Sequence, residues 1–207
     1  YKTVSTIITQ VKVDPFDLAF SNPTKVIGRY MTKEEAEAEE AKGNYVVEEP
    51  EGYRRIIAAP KPMDIYEIDA VNALLDAHQI VIAAGGGGIP VLEQRTRLKG
   101  ASAIIEKDYA AARLAELTEA DTLLFLTVYD KLTVNAGKPD ERSFENVTVA
   151  DLKPYATTGD FGPITTLPKV NAAIEFVEAG TGRKAVIANL EHAKDALLGK
   201  CGTTVTR

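Results

Sequence analysis

The stretch IVIAAGGGGIPVLE, residues 80–93, places four consecutive glycines directly after five apolar residues. The apolar run predicts a buried strand, and the glycines mark the point where that strand ends. Because glycine has no side chain, the backbone N–H groups of Gly85, Gly86, Gly87 and Gly88 can approach an anion closely. A tight structural turn is the alternative, although four glycines lose more chain entropy than a turn requires. The run matches neither the Gly-Lys-Ser/Thr ending of a P-loop nor the G-x-G-x-x-G pattern of a dinucleotide site.

The chain after residue 62 alternates between helical and strand patterns. Continuous apolar strands separated by helices predict a largely parallel α/β sheet that is buried on both faces. Ligands of such sheets bind beyond the carboxyl ends of the strands, which is where the four glycines are expected. The predicted helices cover residues 65–78, 107–120, 167–180 and 190–200, and the predicted strands cover residues 79–85, 121–128, 184–189 and 202–207.

The preceding segment, residues 14–62, is polar, charged and interrupted by prolines. Within it, Thr32 and Glu35 have the S/T-x-x-E spacing of a capping box, which predicts a helix over residues 33–42. Gly43 supplies the stop signal of that helix. The composition therefore predicts a compact excursion from the α/β part of the chain.

Two predicted strands flank the excursion. Residues 5–13 are rich in Val, Ile and Thr and alternate in polarity, and residues 53–62 read as a returning strand that ends in a proline turn. The predicted parts are a strand at residues 1–13 that enters from a preceding part of the fold, a protruding excursion at residues 14–62, and an α/β core at residues 63–207.

The composition excludes several classes of function. The chain has 207 residues, 45% of them hydrophobic, and a net charge of −6, so it can bury a core and has no general attraction to nucleic acid or anionic membranes. No window approaches the ~18 apolar residues of a membrane span, and no signal-peptide pattern is present, which predicts a cytoplasmic protein. A single cysteine, Cys201, and two histidines, His78 and His192, argue against a disulfide or a thiolate or imidazole metal site.

Three lysines lie at positions that an ordinary solvated surface role explains poorly. Lys107 lies between an apolar segment and a predicted helix, beside Asp108, which is either the N-cap of that helix or a catalytic carboxylate. Lys169 follows Pro168, a residue suited to a first helical position, so its charge lies at the positive end of a helix dipole. That placement is unfavourable unless an anion is nearby. Lys25 occupies a loop, where a solvated role is the alternative. Lysines around a glycine nest suit phosphoryl transfer, in which the protein mainly positions and neutralises charge.

Seven blocks of the sequence together resemble the carbamate kinases of the amino-acid-kinase superfamily. The resemblance runs from about residue 5 to the end of the chain in unbroken order. It implies a three-layer α/β/α sandwich with an eight-stranded, mostly parallel central sheet, a homodimer, and reversible phosphoryl transfer from carbamoyl phosphate to ADP in the presence of Mg²⁺. The products are ATP and carbamate, and the usual setting is arginine catabolism. The blocks are TQVKVDPFDLAFSNPTKVIG, GYRRIIAAPKPMDIYEIDAVNALLD, IVIAAGGGGIPV, LKGASAIIEKDYAAARLAE, DKLTVNAGKPDE, LPKVNAAIEF and GKCGTTV.

The resemblance also implies roles for individual residues. Lys107 and Lys169 match lysines that hold the transferring phosphoryl group, and Asp108 matches the carboxylate that orders them. Lys25 matches a lysine of a protruding lid subdomain, here residues 14–62, which folds over the carbamoyl phosphate site. Residues 63–207 then form the nucleotide-binding α/β core. The four glycines are expected to face carbamate or carbamoyl phosphate. The residues expected to border the nucleotide are Val128, Tyr129, Asp130, Lys131 and Pro168. No protein ligand of a metal is expected.

The sequence departs from the family pattern at several places. Glu106 stands where the family usually has Asp, and Thr133 and Ala136 replace aromatic residues near the expected adenine site. The segment DFGPITTLPK replaces a more usual Gly-Ser-Met segment before Lys169. The family's opening strand and Gly-Gly-Asn-Ala loop have no counterpart, so the 207 residues are expected to match the C-terminal two thirds of the family. Two alternatives stay open: another amino-acid kinase, such as acetylglutamate kinase, and a chain that binds nucleotide without turnover.

Overall fold

A computed structural model describes all residues from 1 to 207 and divides the chain into two compact units. The first unit covers Tyr1–Ala110 and the second covers Ala111–Arg207. The strands are β1 (Val4–Thr6), β2 (Gln10–Val13), β3 (Lys25–Met31), β4 (Tyr45–Glu49), β5 (Gly52–Ile57), β6 (Pro62–Ile65), β7 (Ile80–Ile82), β8 (Ile89–Gln94), β9 (Arg97–Gly100), β10 (Thr122–Thr127), β11 (Thr133–Val134), β12 (Arg142–Ser143), β13 (Asn146–Thr148), β14 (Lys184–Asn189) and β15 (Thr203–Thr206). The helices are α1 (Lys33–Ala41), α2 (Ile68–Asp76), α3 (Lys107–Leu117), α4 (Val149–Thr158), α5 (Thr166–Glu178) and α6 (Ala193–Leu197).

Two sheets of the first unit contain parallel pairs. β1 pairs in parallel with β7, and the outward side chains Ile80 and Ile82 of β7 are 50% and 51% exposed. β2 pairs in parallel with β8 and antiparallel with β6, and β9 extends this second sheet as a hairpin with β8. Val11 and Val13 of β2 are both fully buried. Alternate residues of a strand lie on the same face, so this face of β2 is the buried one. This buried face forms the core on which the glycine-containing segment rests.

A third sheet of the first unit lies within the predicted excursion. β3, β5 and β4 form an antiparallel sheet in that order, and α1 packs against β4 and β5. The predicted capping box is confirmed: Thr32 accepts from the backbone N–H of Glu35, and the Glu35 carboxylate accepts from the N–H of Thr32. Gly43 follows the helix at a positive φ of 85°, a conformation that glycine adopts without strain.

The second unit is built on a four-stranded sheet with the order β10, β14, β15, β13. β10 and β14 are parallel over six residue pairs, from Thr122 opposite Lys184 to Thr127 opposite Asn189. The helix α5 packs on β14 and buries Val170 and Phe176 completely. Since β10 and β14 run in the same direction, their carboxyl ends meet at one edge of the sheet.

The predicted α/β class is confirmed, but the sheets are smaller than the family resemblance implies. The largest hydrogen-bonded sheets have four strands, not eight. The predicted strand over residues 5–13 is wrong as a single element, because the chain leaves strand geometry between Ile7 and Thr9 and continues as β2 in a different sheet. The predicted strand over residues 79–85 ends at Ile82.

Three further elements differ from the prediction. The β8–β9 hairpin and the helix α4 were not predicted. Pro154 argues against a helix in the sequence, because proline inside a helix is unfavourable. The helix nevertheless forms, and Thr148 caps it by accepting from the N–H of Asp151. The predicted helix over residues 190–200 is a turn of 3₁₀ helix at Leu190–His192 followed by the short α6.

Candidate functional site

The glycine turn, residues 85–88, lies between β7 and β8 and contains a single turn of 3₁₀ helix at Gly85–Gly87. Ala84 enters it with a left-handed φ of 53°, and Gly86, Gly87 and Gly88 have φ values of 68°, 116° and 83°. Residues with a β-carbon rarely adopt these conformations, so glycine is required at three consecutive positions. An ordinary two-residue turn needs fewer such residues, which favours the interpretation as a binding element over that of a simple turn.

The hydrogen bonds of the glycine turn leave two donors available. The N–H of Gly87 donates to the carbonyl of Ala84 at 2.9 Å, and that of Gly88 donates to the carbonyl of Gly85 at 3.4 Å. The N–H groups of Gly85 and Gly86 have no acceptor in the protein, and both residues are exposed. An anion can therefore accept from two adjacent backbone N–H groups here.

Steric contacts fix the other half of the glycine turn against the protein. A β-carbon on Gly87 would lie 2.2 Å from the carbonyl oxygen of Ile105, and one on Gly88 would lie 2.5 Å from Cγ2 of Val11. A β-carbon on Gly85 or Gly86 would meet nothing within 4 Å. The first two glycines consequently face open space, Gly87 packs against the segment that leads into α3, and Gly88 packs against Val11 and Thr9.

The start of α3 carries the predicted lysine and carboxylates. The carbonyl of Glu106 accepts from the N–H groups of Tyr109 and Ala110, so Glu106 occupies the N-cap position. Asp108 is the second residue of α3, so of the two alternatives for this residue the N-cap is wrong. Its carboxylate is only 4% exposed and lies 3.7 Å from Nζ of Lys107. A buried carboxylate beside a cation suits the ordering role that the resemblance implies.

Lys25 reaches the same place as the first residue of β3, so the prediction that it occupies a loop is wrong. Its Nζ lies 2.7 Å from Oε2 of Glu106, and Nζ of Lys107 lies 3.9 Å from Oε1 of the same carboxylate. Lys25 and Lys107 are 40% and 53% exposed at their side chains, so both remain accessible to a ligand. Within the first unit, the fold thus gathers Lys25, Lys107 and Asp108 near the glycine turn, because Ile105 contacts Gly87 directly.

Lys61 is a further cation that the sequence analysis did not single out. Its Nζ lies 3.5 Å from the centre of the Tyr109 ring, in a cation–π contact. Its backbone N–H donates to Oδ2 of Asp17 at 3.0 Å, which holds the chain before β6 in place. Lys61 therefore adds positive charge beside the first turn of α3.

Lys169 lies in the second unit, in the first turn of α5. The helix begins at Thr166, so Pro168 is its third residue, and the prediction that Pro168 occupies the first helical position is wrong by two residues. Lys169 is only 8% exposed, and its Nζ donates to the carbonyl of Thr165 at 3.1 Å. The first turn of a helix favours a bound anion, so this position suits the contact with the transferring phosphoryl group that the resemblance implies for Lys169.

A pocket of about 310 Å³, which we call the strand-end pocket, opens beyond the carboxyl ends of β10 and β14. This volume lies at the lower end of the range for small-molecule sites. Asn189 donates from Nδ2 to Oδ1 of Asp130 at 2.9 Å and accepts from the N–H of Glu191, which joins the two strand ends. The lining residues are Asp130, Lys131, Asn189, His192, Asp195, Lys200, Cys201 and Gly202.

The remaining predicted nucleotide residues lie on the loop that follows β10. The hydroxyl of Thr127 donates to the carbonyl of Tyr129 at 2.9 Å, which folds this loop back on the strand. Val128 is 93% exposed and does not line the strand-end pocket. Lys131 is hydrogen-bonded to Glu145, and this bond lowers the pKa of the Glu145 carboxyl. Asp130 and Lys131 are thus the two predicted nucleotide residues that the fold brings into the pocket.

The chain contains no group of three or more His, Cys, Asp or Glu side chains arranged to hold a metal ion. No helix has both the length and the apolar character needed to cross a membrane.

Comparison with known proteins assigns the family. The model of the amino acid kinase family matches residues 24–189, which is most of the chain. The chain belongs to the amino acid kinase family. It is 47% identical over 208 residues to the carbamate kinase of Clostridium perfringens (strain 13 / Type A), and 46% identical over 205 residues to the carbamate kinase-like protein YqeA of Escherichia coli (strain K12). These matches cover 100% and 99% of this chain and 66% of each relative.

The fold of this family member is also that of a solved carbamate kinase. The structure of carbamate kinase from Giardia lamblia bound to AMP-PNP superimposes with a TM-score of 0.91 at 38% identity. The match covers 99% of this chain and 66% of that one. The chain therefore spans about two thirds of the length of the relatives that it matches. The resemblance stated from the sequence motifs is confirmed.

Some features of this amino acid kinase site carried a sequence signal and others did not. Asn189 ends a correctly predicted strand, so the rule that ligands bind at strand ends could have identified it. Lys61 carried no recognisable signal, because its contacts are with Asp17 and Tyr109, which are distant in the sequence.

Proposed function

We propose that this amino acid kinase acts as a carbamate kinase, transferring a phosphoryl group reversibly between carbamoyl phosphate and ADP. One observation carries the proposal: the glycine turn, with two available N–H donors, contacts Ile105, which directly precedes Glu106 and Lys107. A phosphate held by the turn would meet backbone donors and lysine charge together. The 47% identity to a carbamate kinase supports the choice of carbamoyl phosphate.

The proposed mechanism assigns the first unit to carbamoyl phosphate. A terminal oxygen of the ADP β-phosphate attacks phosphorus, the bond from phosphorus to the carbamate oxygen breaks, and ATP and carbamate form. Negative charge spreads over the three equatorial oxygens of the transferring group. Lys107 would neutralise this charge, and buried Asp108 would hold Lys107 in position. Lys25 would act mainly in the capture of carbamoyl phosphate. The N–H groups of Gly85 and Gly86 would orient the substrate.

The second unit is assigned to the nucleotide in this proposal. The strand-end pocket has the volume and the strand-end location expected for a nucleotide base, and Lys200 and Lys131 add positive charge at its wall. Lys169 is assigned to the transferring phosphoryl group, as the resemblance implies. A relative solved with AMP-PNP supports nucleotide binding by this fold.

The residues fit a Mg²⁺ ion that is held by phosphate oxygens and water. Mg²⁺ keeps several waters and commonly binds through phosphates with few protein carboxylates, and this chain has no group of three or more His, Cys, Asp or Glu side chains that could hold a metal ion. When bound, the ion would neutralise part of the negative charge on the nucleotide phosphates. We further propose that the active protein is a homodimer that serves ATP synthesis from carbamoyl phosphate, as in arginine catabolism.

The test is an initial-rate assay of ATP formation from carbamoyl phosphate and MgADP, with acetylglutamate and MgATP as the alternative substrate pair. ATP formation that depends on carbamoyl phosphate supports the proposal. Turnover of acetylglutamate alone would reassign the substrate. Binding of MgADP without turnover of either substrate pair would show that the protein binds nucleotide but catalyses neither reaction, and would reject the proposal.

A further inference from the structure

We infer that Thr9 is a positioning residue that holds the glycine turn in the shape that binds phosphate, an inference that rests on the proposed function. Thr9 lies between β1 and β2 and is only 4% exposed. It sits 75 residues before Ala84 in the sequence, yet it is bonded to the chain on both sides of the turn. No property of the amino acid sequence around Thr9 indicates this role.

The hydroxyl of Thr9 fastens the entrance of the glycine turn. Oγ1 accepts from the buried N–H of Ala84 at 2.8 Å and donates to the carbonyl of Ile7 at 3.0 Å. Ala84 has a left-handed φ of 53°, which is unfavourable for a residue with a β-carbon. The bond from Thr9 satisfies its N–H in this conformation and opposes relaxation to an extended one.

The carbonyl of Thr9 fastens the exit of the turn. It accepts from the N–H of Ile89 at 2.8 Å, and a β-carbon on Gly88 would lie 3.2 Å from it. One residue therefore holds Ala84 and Ile89, the two residues that flank the four glycines. With both ends of the turn fixed, the N–H groups of Gly85 and Gly86 are left without an acceptor in the protein.

The test compares Thr9→Val with Thr9→Ser in the 207-residue chain. Valine has nearly the same shape as threonine but no hydroxyl, so Thr9→Val leaves the N–H of Ala84 without its acceptor and keeps the carbonyl bond to Ile89. Serine keeps the hydroxyl. The primary readout is the chemical shift of the Gly85 and Gly86 amide protons during titration with carbamoyl phosphate, and with inorganic phosphate as a second probe.

We expect both amide protons to move downfield in the wild-type chain, as N–H groups do when they donate to phosphate. In Thr9→Val the dissociation constant for carbamoyl phosphate should rise about tenfold, because loss of an acceptor for a buried N–H is a perturbation of that order. Thr9→Ser should restore most of the affinity. The KM for carbamoyl phosphate should follow the same order while the KM for ADP stays unchanged.

Thr203→Val is the matched control. The hydroxyl of Thr203 is also buried, accepts from the N–H of Leu132 at 2.8 Å and donates to the carbonyl of Phe144 at 2.6 Å. The same chemical change is thereby made in the second unit. Thr203→Val should lower the melting temperature as Thr9→Val does, but leave the phosphate response of Gly85 and Gly86 intact.

Two outcomes overturn the inference. One is a wild-type chain whose Gly85 and Gly86 amides do not respond to carbamoyl phosphate. The other is a Thr9→Val chain that loses stability like Thr203→Val but keeps its phosphate response, since Thr9 would then be only structural. A phosphate response that depends on Thr9 in a chain without turnover supports the inference while rejecting the proposed function, so the two failures are distinguishable.

Discussion

Gly87 packs so closely against Ile105 that an added β-carbon would lie 2.2 Å from the Ile105 carbonyl oxygen. Real β-carbon contacts are not this short, so one of the two backbone segments must move if any other residue replaces Gly87. This contact joins the glycine turn to the residues before α3. It also separates the structural glycines of the turn from those that are free to meet a ligand.

The first prediction uses this separation. Gly87→Ala should destabilise the fold by about 3 kcal/mol, because the side chain meets a carbonyl oxygen and the φ of 116° excludes it. Gly85→Ala has neither problem and should leave the melting temperature nearly unchanged, while its methyl group weakens carbamoyl phosphate binding beside the available N–H groups. Thermal unfolding and the KM for carbamoyl phosphate measure the two effects. Equal melting temperatures for both variants would contradict the packing argument.

The second prediction concerns Lys107 and Lys169. Each charge gains most when negative charge spreads over the transferring phosphoryl group, so Lys107→Ala and Lys169→Ala should each lower kcat about 10²-fold in the active enzyme. Lys99→Ala, on the exposed strand β9, is the control and should not change the rate. Full kcat in both alanine variants would show that the phosphoryl group is held elsewhere.

The third prediction addresses the ion pair between Lys25 and Glu106. Lys25→Ala should act mainly through the KM for carbamoyl phosphate, because a lysine carried by a lid contributes to capture and closure. Glu106→Gln keeps the shape but removes the charge that holds Lys25, so it should raise the same KM by a smaller factor. Steady-state kinetics with carbamoyl phosphate varied at saturating ADP separate KM from kcat. A pure kcat effect in both variants would contradict this assignment.

The fourth prediction concerns the strand-end pocket. MgADP at 100 times its dissociation constant should stabilise the fold by about 2.7 kcal/mol, by mass action on the folded state. Asn189→Ala removes the link between the ends of β10 and β14 and should weaken ADP binding while sparing the KM for carbamoyl phosphate. Thermal shift titration gives the ADP affinity. A melting temperature that does not change with millimolar MgADP would contradict the assignment of this pocket to the nucleotide.

The fifth prediction is a pH dependence within the excursion. Hydrogen bonds from Arg29 and from the backbone N–H of Thr32 lower the pKa of Glu35 from 4.5 to about 2. A depressed pKa means that the ionised carboxylate favours the folded state, so this stabilisation is complete above pH 4.5 and is lost as the pH falls toward 2. Carboxyl carbon shifts of Glu35 should titrate in that range. Glu35→Gln should destabilise α1, and Glu37→Gln, on the exposed face of the same helix, should not. An ordinary titration midpoint near 4.5 would refute the role of the Arg29 bond.

The elements that the sequence predicts well depend on local signals. The capping box needs only Thr32 and Glu35, three residues apart, and β14 coincides with the predicted strand over residues 184–189. The family and the α/β class followed from motifs that survive intact in this chain. Local patterns were sufficient wherever the partner of a residue lies within one turn or one strand.

The remaining features depend on partners far along the chain. The break between β1 and β2 includes Thr9, whose hydroxyl accepts from the N–H of Ala84, and no sequence window contains both residues. The β8–β9 hairpin was missed because Pro90 is unusual inside a strand. Asp108 and Pro168 were misplaced within their helices because helix starts are set by hydrogen bonds that propensity alone does not locate.

The β1–β7 pair has a consequence for how the isolated polypeptide behaves in solution. Two parallel strands whose outward isoleucines are half exposed do not form a self-sufficient sheet, since parallel strands are normally covered on both faces. Such a two-stranded sheet exposes unpaired backbone N–H and C=O groups and an apolar surface to which other molecules can bind. Purified at high concentration, the 207-residue polypeptide should bind a fluorescent hydrophobic dye and self-associate in proportion to its concentration, and charged replacements of Ile80 and Ile82 should suppress both effects.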